Sequence, residues 1–261
     1  MKSYPNIALN RNASVTFNHV WDSQNEEWIP MSQNPYDVNL SQAKSSIHKF
    51  GALPTITSKT SEETIWDGAG IYEFPLNDGI SLTISSSNTN DNQSFVVIGL
   101  DENFLEQTWE GNLNGLNDVS ISGTWTRVFR AYNNGSNNLT GDVSIKNGST
   151  IYAKVLAQHN QTLMAVYTIP DNYTGKLLRI HASANNTDTS SGLNALCHLK
   201  TREYNKVFRT RNILSFSDSQ PLTEELTFPL TLPPRTDIYI NKISSSSTGG
   251  TISSEFDIAL I

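Results

Sequence analysis

The sequence predicts an all-β protein made of two tandem β-sandwich units behind an extended N-terminal arm. Three observations carry that expectation. Apolar and polar residues alternate in run after run from about Ile65 onward, the period of a half-buried strand. Asn-Gly and Asp-Gly dipeptides, which accept positive φ and close tight hairpins, punctuate those runs. Ser, Thr and Asn supply 31, 25 and 28 residues, 84 of 261. Their side chains compete for backbone hydrogen bonds and disfavour helix interiors.

The elements follow in chain order. Residues 1–64 hold short strand candidates, Ala13 to Val20 and Trp28 to Met31, joined by polar connections such as Gln33-Asn34-Pro35-Tyr36. They show no sustained helical period and read as an arm with little core of its own. Residues 65–158 form the first unit, with strand runs at Ser94-Phe95-Val96-Val97-Ile98, Thr126 to Tyr132 and Thr150 to Val155. Its turns fall at Asp78-Gly79, Asn114-Gly115, Asn134-Gly135 and Asn147-Gly148. Residues 160–261 form the second unit, with runs at Leu163 to Ile169, Lys176 to Ala184, Lys206 to Phe216, Asp237 to Ile243 and Ile252 to Ile261. Each unit has the size of a small sandwich, and the short join Gln158-His159-Asn160-Gln161 expects them to pack together.

Collinear echoes suggest that the units are duplicates. Tyr72-Glu73-Phe74-Pro75 recurs as Tyr167-Thr168-Ile169-Pro170, and Leu82-Thr83-Ile84 as Leu178-Arg179-Ile180. Val128-Phe129-Arg130 then pairs with Val207-Phe208-Arg209, and Ile151-Tyr152 with Ile238-Tyr239. The expectation is that Tyr72 and Tyr167 occupy equivalent places, as do Phe129 and Phe208.

The chemistry-bearing residues are sparse. A formal charge of −7 and scattered Lys and Arg argue against a nucleic-acid partner held by phosphate contacts. No apolar run approaches the ~18 residues of a membrane span, and the start lacks a signal-peptide core. The single cysteine, Cys197, reads as a buried structural thiol. His181 and Cys197–His198 could meet across a hairpin but would still lack a ligand, so no metal and no cofactor is expected. Asp101-Glu102 with Glu106 and Glu110 is the densest acidic cluster and reads as a solvated loop rather than a glycosidase pair. Asn88-Thr89-Asn90-Asp91-Asn92 lacks the Gly and distal Glu of a calcium loop and reads as an exposed hairpin loop. Of the five tryptophans, Trp125 is expected in the core. Nothing here supports catalysis, and a non-enzyme is expected.

Several words together resemble a known family. They are Ile65-Trp66-Asp67-Gly68-Ala69-Gly70, Tyr72-Glu73-Phe74-Pro75, Ser85-Ser86-Ser87-Asn88, Gly99 to Glu106, Gln161 to Pro170 and the terminal Phe256 to Ile261. In order over about 48–261, they resemble virion structural proteins of tailed phages of aquatic bacteria. The resemblance implies jelly-roll-like sandwiches and a place on the virion, reached after assembly in the host bacterial cytoplasm. It implies a capsid decoration (cement) protein or a tail or fibre accessory part, with partners among the major capsid or tail and collar proteins; decoration is expected ahead of the tail part. It supplies no catalytic residues. A carbohydrate-binding sandwich acting in host adhesion is the alternative. Unpaired edge strands favour a homo-oligomer, with a trimer expected. Within the arm, Phe17, Val20, Trp21, Trp28 and Ile29 need burial that the arm itself does not offer, and are expected to anchor it on another virion protein.

Overall fold

The computed structural model describes residues 43–186 and 192–261, with the backbone of two short strands before them. Those two are β1 (His19–Asp22) and β2 (Glu27–Pro30), which pair antiparallel as a sheet of their own. The described residues contain no helix. The protein is an all-β sandwich structure, and each side of every sandwich is an antiparallel sheet.

The first sandwich comprises β5 (Ile80–Ser86), β6 (Ser94–Leu100), β7 (Glu106–Asn112), β8 (Val119–Trp125), β9 (Arg127–Asn133), β10 (Val143–Asn147) and β11 (Thr150–Val155). One sheet runs β11-β10-β5-β8 and the other β7-β6-β9. Between them lie Leu82, Ile84, Phe95, Val97, Ile121, Trp125, Ala131, Val143, Ile145 and Val155, all buried. Trp125 has no exposure, as its place in a strand predicts, and its indole N–H donates to the Ser122 carbonyl. Each Val, Leu, Ile and Phe side chain among them contributes about 1.5–3 kcal/mol on leaving water. The turn signalled at Asn147-Gly148 falls one residue on: Asn147 pairs with Thr150, and β10 and β11 close on Gly148 and Ser149, with Gly148 at φ 56°.

The second sandwich uses β12 (Val166–Thr168), β13 (Gly175–Asn185), β14 (Asn194–Arg202), β15 (Arg209–Ser217), β16 (Leu222–Leu232), β17 (Asp237–Ser245) and β18 (Thr251–Leu260). It also takes β3 (Ser45–Leu53) and β4 (Glu63–Thr64), which precede the first sandwich in the chain. Its sheets run β16-β13-β18-β3 and β12-β17-β14-β15, with β4 also on β17. Alternation sets the core: on β14, Ala195, Cys197 and Leu199 point in while their neighbours point out. A four-stranded sheet faces a five-stranded one, with chain crossing between sheets, as in a jelly roll. Ser45–Leu53, counted with the arm by sequence, is paired with β18 along its whole length. Gly51 permits this, because a Cβ there would lie 2.2 Å from the Ala165 nitrogen.

The two sandwiches repeat one strand order. Sheet neighbours β8-β5-β10-β11 correspond to β16-β13-β18-β3, and β7-β6-β9 to β15-β14-β17. The first echo fits this frame: Leu82 and Leu178 lie on corresponding strands, and Tyr72 and Tyr167 each stand eight residues before them begin. The later echoes do not. Phe129 is on β9, which corresponds to β17, whereas Phe208 precedes β15. Ile151-Tyr152 is on β11 and Ile238-Tyr239 on β17, which also fail to correspond. Apolar-aromatic words suit any strand, so they recur without marking the same strand.

Candidate functional site

The densest constellation of charge and aromatic surface lies where the two sandwiches meet. Arg127 opens β9 of the first sandwich, Asp237 opens β17 of the second, and Arg202 ends β14. Arg127 and Asp237 are buried, with side chains 3% and 2% exposed, so water cannot satisfy them. The Arg127 guanidinium donates from Nε to Asp237 Oδ1 at 2.7 Å and from Nη2 to Oδ2 at 3.1 Å. Its other donors reach Asn77 Oδ1 and the Pro75 and Thr126 carbonyls, so all five are used. Arg202 donates to Asp237 Oδ2 from Nε at 2.9 Å and Nη2 at 2.5 Å, and Thr168 Oγ1 to Oδ1 at 2.6 Å. One carboxylate thus ties together two arginines from different sandwiches. Such a buried pair costs desolvation and repays it only through geometry of this quality.

Aromatic rings alternate with the guanidinium groups across the whole seam. Arg202 stacks on Phe208 at 4.5 Å and on Phe74 at 5.2 Å. Arg127 lies 5.4 Å from Phe74 and 5.0 Å from Phe104. Arg235 lies 5.1 Å from both Phe104 and Tyr204 and forms a bidentate pair with Asp171, at 2.6 and 2.9 Å. The Arg235 bonds hold the Asp171 carboxyl below the usual carboxylate range. The result is a column, Phe208–Arg202–Phe74–Arg127–Phe104–Arg235–Tyr204. The buried Arg127 contacts are of the kind that contribute up to ~2 kcal/mol, whereas the partly exposed Arg202 and Arg235 contacts contribute about 0.5–1 kcal/mol each. Phe104 and Arg235 adopt φ of 61° and 59°, a left-handed conformation that costs non-glycine residues about 1–3 kcal/mol.

Above the column is a cavity of about 300 Å³, walled by Asn77, Arg202, Tyr204, Asn205 and Lys206 over the Arg127–Asp237 pair. Arg127, Arg202, Arg235 and Lys206 outnumber Asp237 and Asp171 here. The seam is locally cationic on a chain of net charge −7.

Two further buried groups lie near the seam or between the sandwiches. Lys49, on the inward face of β3, donates to the Phe129 carbonyl. Burial, and secondarily Arg130, lowers its pKa to about 7. Asp67 accepts the Leu163 amide at 2.9 Å through Oδ2, and burial pushes its carboxyl up to about 7. Farther off, Lys242 and Glu63 form a buried pair at 2.6 Å.

The residues singled out by sequence are dispersed. Val20, Trp21, Trp28 and Ile29 lie on β1 and β2, where Val20 is registered with Ile29 and Trp21 with Trp28. Phe17 lies outside the described residues. Cys197 is fully buried and its thiol is pushed up to about 12 by that burial. His181 and His198 lie on opposite outer faces of the second sandwich, and the described residues hold no cluster of metal-ligand type. Asp101 caps its own turn, accepting the Asn103 and Leu105 amides. Thr89, Asn90 and Asn92 are exposed, as the loop expectation for 88–92 has it, and Asp91 alone departs from it: it is 1% exposed and accepts from Ser86 Oγ and the Thr140 and Gly141 amides. Burial alone would raise its carboxyl, and these donors outweigh burial to hold it low.

Sequence reasoning missed Arg127, Arg202, Asp237, Asp171 and Arg235. Their one linear sign is that Arg127, Arg202 and Asp237 sit at the ends of apolar runs, and such ends converge at one rim of a sandwich.

No family model and no characterised protein matches the chain. Among solved structures, it is similar to the infectious bursal disease virus VP2 subviral particle, at 11% identity over 87% of this chain and 77% of that one, with a TM-score of 0.21. A structure of the Gx strain of the same virus aligns at 7% identity over 83% and 76%, with a TM-score of 0.20. Similarity at that level carries no argument about role.

Proposed function

We propose that the protein is a non-enzymatic structural component of a tailed-bacteriophage virion, a capsid decoration protein ahead of a tail or fibre part. The observation that carries the proposal is the seam: buried charge and stacked rings spent on locking two sandwiches into one body. That investment suits a part that transmits load, and the sequence resemblance points to the same setting. Ser, Thr and Asn on the outer faces suit solubility at high copy number. The outer edges of β15 and β16 are free for pairing, and Ile213 and Phe228 on them are 59% and 89% exposed, which supports assembly into a homo-oligomer. Host adhesion through a carbohydrate is the second reading, favoured by the polar cationic cavity at the seam. Quantitative mass spectrometry of purified virions tests the proposal. Hundreds of copies per particle are expected for decoration and a dozen or fewer for a tail part; absence from the particle overturns both.

A further inference from the structure

We propose that the cavity over the seam is a binding site for a sugar acid, a small polyhydroxylated ligand carrying one carboxylate. This goes beyond the structural role and stands without it. Three features of the cavity point to that class. Its charge is positive: Asp237 is already shared between Arg127 and Arg202, and Lys206, also on the cavity wall, adds an ammonium with no ion pair among the described residues. Its fixed donor is a guanidinium held rigid between two rings, with Nε and Nη2 of Arg202 spent on Asp237 and Nη1 left for a ligand oxygen. Planar, pre-oriented guanidinium suits a carboxylate. The remaining wall is polar, made of Asn77, Asn205 and Tyr204; Asn77 Oδ1 already accepts from Arg127 and the Tyr204 hydroxyl from Arg235, so the Asn205 amide N–H groups and the second Asn77 N–H are what is left for ligand hydroxyls. Asn77 Nδ2 donates to Asn205 Oδ1 at 3.2 Å, so the amides of the two sandwiches are already aligned across the cavity mouth. Its volume of about 300 Å³ is at the small end of ligand pockets, enough for one or two sugar rings.

The site also explains why Asn occupies position 205. Its φ is 57°, a conformation that Asn accepts more readily than most residues, and it places the carboxamide at the rim. The test titrates glucuronate into the full-length protein, followed by calorimetry, with glucose and inorganic phosphate as the other two probes. Saturable binding of glucuronate is expected, with glucose and phosphate both weaker. Lys206→Glu, on an exposed turn that makes no hydrogen bond to the buried pair, is expected to weaken glucuronate about tenfold or more at unchanged melting temperature, since it reverses a charge on the cavity wall. Asn205→Gly keeps the backbone conformation and removes the amide, and is expected to weaken binding too. No binding of glucuronate, equal binding of glucose or phosphate, or indifference to both substitutions overturns the proposal. None of these outcomes alters the copy number on virions, so the two proposals fail separately.

Discussion

At the scale of single residues, the protein holds two ionisable groups whose environments set opposite pH dependences. Lys49 is buried against Phe129, and burial lowers its pKa from 10.5 to about 7. The unfolded chain therefore binds a proton between about pH 7 and 10.5 that the folded chain does not, so stability from this group rises across that window and is lost as the pH falls through about 7. Asp67 works the other way. Burial raises it from 3.8 to about 7, so its contribution is fully present below about 3.8 and is lost as the pH rises through about 7. Urea midpoints measured from pH 4 to 10 are expected to dip near neutrality. Lys49→Met is expected to flatten the alkaline limb and Asp67→Asn the acidic one, each leaving the other limb unchanged. An unaltered profile in either variant refutes its assignment. Asn at 67 keeps the acceptor for the Leu163 amide, so the change isolates the titration from the hydrogen bond.

At the scale of elements, strand period and turn chemistry made most of the fold legible. β6, β13 and β18 stand where alternation placed them, and the hairpin signalled at Asn147-Gly148 closes one residue on, at Gly148 and Ser149. Partnership between distant strands was not legible. Nothing in Ser45-Ser46-Ile47-His48-Lys49-Phe50 says that it will cross the length of the first sandwich to pair with the last strand of the chain, because pairing is decided by which edge is open and not by local pattern. The same blindness explains the misplaced Phe129–Phe208 equivalence and the missed seam, whose members are brought together only by the crossing of strands between sheets. The consequence for the arm is experimental. Deleting residues 1–42 leaves β3 whole and is expected to give a protein of unchanged melting temperature that no longer joins the particle. Deleting residues 1–53 removes a nine-residue strand and bares the edge of β18, and is expected to abolish folding. Normal incorporation of the 1–42 deletion would show that Val20, Trp21, Trp28 and Ile29 are not anchors.

At the scale of the whole molecule, the seam decides whether two similar sandwiches behave as two domains or as one. The chain passes from the second sandwich into the first and back again, since β3 and β4 precede β5 while β12 follows β11. Neither half can leave without disturbing the other, and the Arg127–Asp237 pair fixes their relative position in a place closed to water. A single cooperative unfolding transition is therefore expected by scanning calorimetry, with calorimetric and van't Hoff enthalpies equal. At about 0.7 kcal/mol per residue near 60 °C, one body of this size absorbs on the order of 150 kcal/mol, and either half alone about 70. Asp237→Ala leaves Arg127 buried without a counter-charge, which destabilises by about 3–5 kcal/mol. Because Arg127 belongs to one sandwich and Arg202 to the other, the lost energy is mostly coupling between halves rather than stability within either. The variant is expected to show two resolved transitions, or one whose van't Hoff enthalpy falls to about half the calorimetric value. Adding Arg127→Met removes the stranded charge and is expected to recover part of the stability without restoring the single transition. If Asp237→Ala lowers the melting temperature but leaves one transition with matching enthalpies, the halves are held together by their shared strands alone, and the column of rings and guanidinium groups is not what makes the molecule rigid.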